Sequence, residues 1–127
     1  MSNATMTKTK LAKKMLVVED QGETCLLLGL ILSDRKFEVD YVNNLLDADD
    51  YLSKNNPSMI LLDNKLPDGF GVDFISYVKK KHPKIKIIMI SGFSTARDVA
   101  LANGADAFLE KPFSMANVND AIDKVLA

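Results

Sequence analysis

The sequence predicts an α/β domain: a doubly wound, five-stranded parallel sheet with helices on both faces. Short apolar runs alternate with amphipathic stretches along most of the chain, the order expected of strands joined by helical crossovers. Several of the runs are continuously apolar, as strands covered on both faces must be. The connections are short, and there is no repeat, low-complexity segment or linker.

Each element has its own signal. Met15-Leu16-Val17-Val18 reads as the first strand and ends at Glu19-Asp20. A helix is predicted over 22–34, a second strand over 37–42, and a helix over 45–54 in which Leu45, Leu46, Asp49 and Leu52 give a mixed stripe. Ser58-Met59-Ile60-Leu61-Leu62-Asp63 is the third strand. The helix over 71–81 carries Val72, Ile75 and Val78 on one face, and Lys79-Lys80-Lys81-His82-Pro83 ends it. Cations there complement the helix dipole, and proline stops propagation. Ile87-Ile88-Met89-Ile90 marks a fourth strand over 85–91, followed by a short helix over 95–102 and a fifth strand over 106–110. The last helix spans 114–126, with Ser114 as its N-cap.

A chain of 127 residues fits one domain. That domain is assigned to 13–127, and 1–12 is read as a cloning remnant (Met1-Ser2-Asn3-Ala4) with a flexible lead-in. A net charge of −1 gives no general attraction to nucleic acid or anionic membrane, so neither is expected as a partner. No apolar run approaches the roughly 20 residues of a spanning helix, and no signal peptide is evident, so a cytoplasmic location is expected. Cys25 is the single cysteine, which excludes an internal disulfide and fits a reducing compartment. Neither Cys25 nor His82 is assigned any chemistry, and Asp68-Gly69 reads as a turn.

The chemistry lies in the residues that end the strands. Right-handed crossovers place one crevice outside the carboxyl ends of the strands, between the first and third. Glu19 and Asp20, Asp63, Ser91 and Lys111 all reach that edge. Three converging carboxylates repel one another unless a hard dication joins them, and an oxygen-rich site with room for waters suits Mg2+. Asp63 can then stay ionised and act as a nucleophile toward phosphorus. Ser91 and Lys111 can stabilise the charged oxygens of the transferring group, and phosphoryl transfer asks for little more.

These residues and their surroundings resemble the receiver domain of bacterial two-component response regulators, the CheY-like superfamily. The resemblance rests on Leu16-Val17-Val18-Glu19-Asp20, Leu61-Leu62-Asp63-Asn64-Lys65-Leu66-Pro67-Asp68-Gly69, Met89-Ile90-Ser91-Gly92, and Gly104-Ala105-Asp106-Ala107-Phe108-Leu109-Glu110-Lys111-Pro112-Phe113. It covers almost the whole chain. It implies a flavodoxin-like (βα)5 fold with strand order 2-1-3-4-5, and a phosphorylation-driven switch rather than an enzyme. Asp63 would accept a phosphoryl group from a sensor histidine kinase or a histidine phosphotransfer protein. Asp20 would ligate Mg2+ directly with Glu19 as a nearby acidic partner, and the Lys65 backbone carbonyl would add a ligand. Ser91 and Phe108 would be the switch residues, Lys111 would pair with the phosphoryl oxygens, and the bond before Pro112 would be cis. A homodimer is a further possibility.

The chain also departs from the pattern. Phe93 and Lys65, each two residues beyond a site residue, flank the expected phosphoryl position, where they would tune its lifetime. A bulky ring excludes water, so a long-lived phosphoaspartate is expected. Ser91 and Lys111 lie 111 − 91 = 20 residues apart, about two fewer than the resemblance implies, so the loop or the helix after the fourth strand should be shortened. The first helix, through Cys25-Leu26-Leu27-Leu28-Gly29-Leu30-Ile31-Leu32, is apolar all round, which points to an exposed patch for docking or self-association. Three rival readings stand beside the switch. A metal-dependent phosphatase with an aspartate nucleophile typically has a second Asp where Lys65 stands. A flavin-binding domain would have a hydroxyl- and glycine-rich phosphate loop where Glu19-Asp20 stands. A receiver-like interaction domain that is never phosphorylated would have no use for the intact acidic set. No output segment follows the last predicted helix, so the output is expected to lie elsewhere.

Overall fold

The computed structural model of the protein describes residues 13–127; the remnant and lead-in assigned to 1–12 lie outside them. The elements run β1 (Lys13–Val18), α1 (Gly22–Leu32), β2 (Phe37–Val42), α2 (Leu45–Lys54), β3 (Met59–Asp63), β4 (Lys65–Leu66), β5 (Gly69–Phe70), α3 (Gly71–Lys81), β6 (Lys86–Ser91), α4 (Ala96–Ala102), β7 (Ala107–Glu110) and α5 (Met115–Leu126). The parallel sheet has the order β2-β1-β3-β6-β7. With the two-residue β4 and β5 set aside, this is the expected 2-1-3-4-5 flavodoxin-like order. β4 and β5 form a small antiparallel hairpin that the sequence reading did not anticipate.

Alternation along the central strands divides the core. Leu16 and Val18, Ile60 and Leu62, and Ile87 and Met89 face α2, α3 and α4 through Ala48, Leu52, Phe74, Ile75, Val78 and Ala100. Met15 and Val17, Met59 and Leu61, and Ile88 and Ile90 face α1 and α5 through Leu28, Ile31, Leu32, Val118, Ile122 and Val125. Burying each large side chain contributes about 1.5–3 kcal/mol. Both faces being covered explains why these strands read as continuous apolar runs.

The helix ends follow local chemistry. Ser114 caps α5, its hydroxyl accepting from Asn117 N (3.1 Å) while Asn117 Oδ1 accepts from Ser114 N (3.0 Å). Asn44 caps α2, Oδ1 accepting from Asp47 N at 2.7 Å. α1 stops at Leu32, two residues short of the expected 34, where Ser33 Oγ donates to Leu30 O. β7 begins one residue later than expected, although Asp106 N still donates to Ile87 O at 2.8 Å. α4 has seven residues, in keeping with the short interval after Ser91. Among the described residues, no helix is long and apolar enough to cross a membrane.

Candidate functional site

Parallel register carries the strand ends to one edge. Val18 pairs with Leu62, Asp63 with Ile90, and Ser91 with Glu110. Backbone bonds extend the ladders past the strands: Glu19 N donates to Val42 O, Asn64 N to Ile90 O, and Lys111 N to Ser91 O. Glu19, Asp20, Asp63, Ser91 and Lys111 therefore reach the same crevice, beside the switch point between β1 and β3.

One carboxylate oxygen from each of Glu19, Asp20 and Asp63 lies within 4.8 Å of the others. Lys111 Nζ sits 2.9 Å from Asp63 Oδ1 and 2.9 Å from Glu19 Oε1. Glu19 Oε2 also accepts from Gln21 N at 3.1 Å. Glu19 and Asp63 are buried and Asp20 is exposed. Burial raises the carboxyls of Glu19 and Asp63 above the ordinary range, and the Lys111 ammonium opposes that rise. Burial works against the charge on Lys111, yet its bonds to Asp63 and Glu19 leave the ammonium more firmly protonated than usual. Two buried carboxylates thus share one cation, leaving the pocket short of positive charge. Three oxygen donors open to water at Asp20 fit Mg2+, which takes carboxylates and keeps several waters.

Other predicted residues occupy the rim. Ser91 Oγ is buried and accepts from Phe93 N at 3.1 Å. Phe93 is exposed, and the Lys65 ammonium stands over its ring, 5.4 Å from the centroid. That pair links β4 to the segment after β6. Phe108, on edge strand β7, is half-buried against the α2–α3–α4 face of the core. The Lys111–Pro112 bond is cis.

The loop after Asp63 holds residues that the sequence reading passed over. Asn64 O accepts from Gly71 N at 2.7 Å, and Asn64 Oδ1 accepts from Val72 N at 3.1 Å. A Cβ on Gly71 would run into the Asp63 carbonyl oxygen, so glycine lets α3 start against the acceptor strand. Asp68 lies in a turn as expected, but its carboxylate also accepts from Leu45 N (2.8 Å) and Leu46 N (2.9 Å) at the start of α2. The only local signal for these roles was Pro-Asp-Gly, which specifies a turn and names no distant partner.

The fold and pocket suit a phosphoacceptor signalling domain, and comparison with known proteins supplies the family. Residues 15–123 match the family model of the response regulator receiver domain, and the chain belongs to that family. It is 28% identical over 116 residues to the response regulator protein PilR of Pseudomonas aeruginosa, covering 90% of this chain and 26% of that protein. It is 27% identical over 116 residues to sporulation initiation phosphotransferase F of Bacillus subtilis, covering 90% of this chain and 94% of that protein. Among solved structures it resembles a CheY-like receiver domain protein of Methanospirillum hungatei JF-1, with a TM-score of 0.84 and 26% identity over 91% of this chain and 94% of that one. Receiver domains are regulatory phosphoacceptor modules of two-component systems. They generally bind Mg2+ at an acidic pocket and are phosphorylated by histidine kinases or phosphotransfer proteins.

Proposed function

We propose that Asp63 accepts a phosphoryl group from the phosphohistidine of a sensor histidine kinase or histidine phosphotransfer protein in the cytoplasm. An Asp63 carboxylate oxygen attacks phosphorus, the nitrogen–phosphorus bond breaks, and the imidazole nitrogen keeps the electron pair. Glu19, Asp20, Asp63 and the Lys65 carbonyl are the groups that would hold Mg2+, which when bound neutralises the developing charge. Lys111 pairs with a phosphoryl oxygen, trading part of its contact with Asp63 for it. The Ser91 hydroxyl donates to another, and Phe108 follows the movement of Ser91. Lys65 and Phe93 shield the product from water and lengthen its life.

The observation that carries this reading is the Lys111 ammonium placed 2.9 Å from both Asp63 and Glu19, beside the open carboxylate of Asp20. Acetyl phosphate with Mg2+ should add about 80 Da, one phosphoryl group, to wild type and nothing to Asp63→Ala. Sustained phosphate release without the adduct would favour the aspartate-nucleophile phosphatase, and no modification would favour an interaction domain that is never phosphorylated.

A further inference from the structure

The loop leaving Asp63 is fastened at its far end by a group outside the acidic pocket. β4 and β5 pair Lys65 with Phe70 and Leu66 with Gly69. Asn64 closes the base of this hairpin on Gly71 and Val72. At the turn, Asp68 Oδ1 and Oδ2 take the N–H groups of Leu45 and Leu46. These two donors at the start of α2 would otherwise need water, since the Asn44 side chain serves Asp47 N. An anion there also complements the positive end of the helix dipole. The two bonds hold the Asp68 carboxyl below the ordinary carboxylate range. The hairpin also lies directly on α2: a Cβ on Gly69, whose φ is +153°, would come 3.1 Å from Leu45 Cδ1.

We propose that Asp68 is a positioning residue for the pocket: by tying the β4–β5 hairpin to the start of α2, it fixes the Lys65 backbone carbonyl for the cation. This rests on the reading of that carbonyl as a metal ligand. Between the tie at Asp68 and the clasp at Asn64, Lys65 has little freedom. Cut the tie, and the hairpin is held to its surroundings by the Asn64 clasp and by apolar contacts, with no polar bond left at its turn. A neutral residue at position 68 therefore weakens Mg2+ binding in a protein that is still folded. A merely structural role would lower stability and leave the affinity of the folded protein unchanged.

Mg2+ titrations of the full chain, followed by backbone amide NMR shifts, separate these outcomes. Asp68→Asn retains one acceptor and Asp68→Ala retains none, so the dissociation constant should rise in two steps. The second step should reach about tenfold, the low end of what loss of an outer-shell orienting contact costs. Asn44→Ala is the control, because it removes an α2 cap without touching the hairpin. It should lower Tm and leave Mg2+ affinity within about twofold of wild type, well below that outer-shell effect. Unchanged affinity in both Asp68 variants overturns the proposal. So does an equal loss in Asn44→Ala, which would assign the effect to α2 stability. If wild type itself binds no Mg2+, the reading of the site fails and takes this inference with it.

Discussion

Replacing Lys111 with methionine tests the electrostatics of the pocket directly. Methionine keeps much of the stem's packing and removes the ammonium that touches Glu19 and Asp63. The side chains of Glu19 and Asp63 are 1% and 6% exposed, so water replaces the ammonium only in part. Removing one partner from a buried ion pair costs about 3–5 kcal/mol, and the partial exposure of Lys111 places this case near about 3. At a urea slope of about 1.5 kcal/mol/M, the unfolding midpoint should fall by about 2 M. The pH dependence has a definite sign. Burial already raises both carboxyls above the values they have in the unfolded chain. The folded protein therefore holds more protons between those two sets of values, and stability falls as pH rises through that window. Without Lys111 the window extends upward, so the deficit is largest at neutral pH and shrinks toward the unfolded carboxylate values of about 4. Urea unfolding followed by far-ultraviolet circular dichroism in EDTA, at neutral pH and at about pH 5, measures this. The Glu19→Gln/Lys111→Met double variant should recover much of the loss at neutral pH. A deficit equal at both pH values, or no deficit at all, would refute the charge argument.

Three further perturbations address separate parts of the molecule. Gly71→Ala should destabilise the fold by about 2 kcal/mol in urea unfolding, because the new methyl group meets a backbone carbonyl that cannot yield. Phe93→Ala should speed loss of the phosphoryl group severalfold, followed by intact mass against time; a rate equal to wild type would remove the shielding role. Serine at both Leu26 and Leu30, which are 69% and 63% exposed, should impair transfer from the cognate protein donor and spare transfer from acetyl phosphate. Equal loss with both donors would indicate damage to the fold.

The sheet was legible because its central strands are buried on both sides, and such strands cannot hide a polar residue until they end. Asp63, closing the run from Met59, stood out for that reason. β4 and β5 did not, since two residues are too few to show a period. The second role of Asp68 was hidden by distance: its donors lie 23 and 22 residues earlier in the chain. The apolar sequence of α1 showed an excess of leucine without showing its direction. Leu28, Ile31 and Leu32 turn inward while Leu26 and Leu30 face water, a choice made by α5 and the sheet. The sequence reading gave Lys111 to the transferring group alone, whereas here its ammonium already balances two carboxylates.

Glu19 and Lys111 meet across 92 residues of chain, and that separation has a consequence during synthesis. At about 5–20 residues per second, roughly 5–20 s pass between the making of one partner and the other. Until β7 and the residue after it arrive, Glu19 and Asp63 have no lysine between them, and β6 lacks its outer neighbour. The pocket is thus completed by nearly the last part of the domain to leave the ribosome. A chain that stops before Lys111 leaves the Glu19 and Asp63 carboxylates without that ammonium, so the pocket proposed to accept the phosphoryl group takes its full form only after β7 has been made.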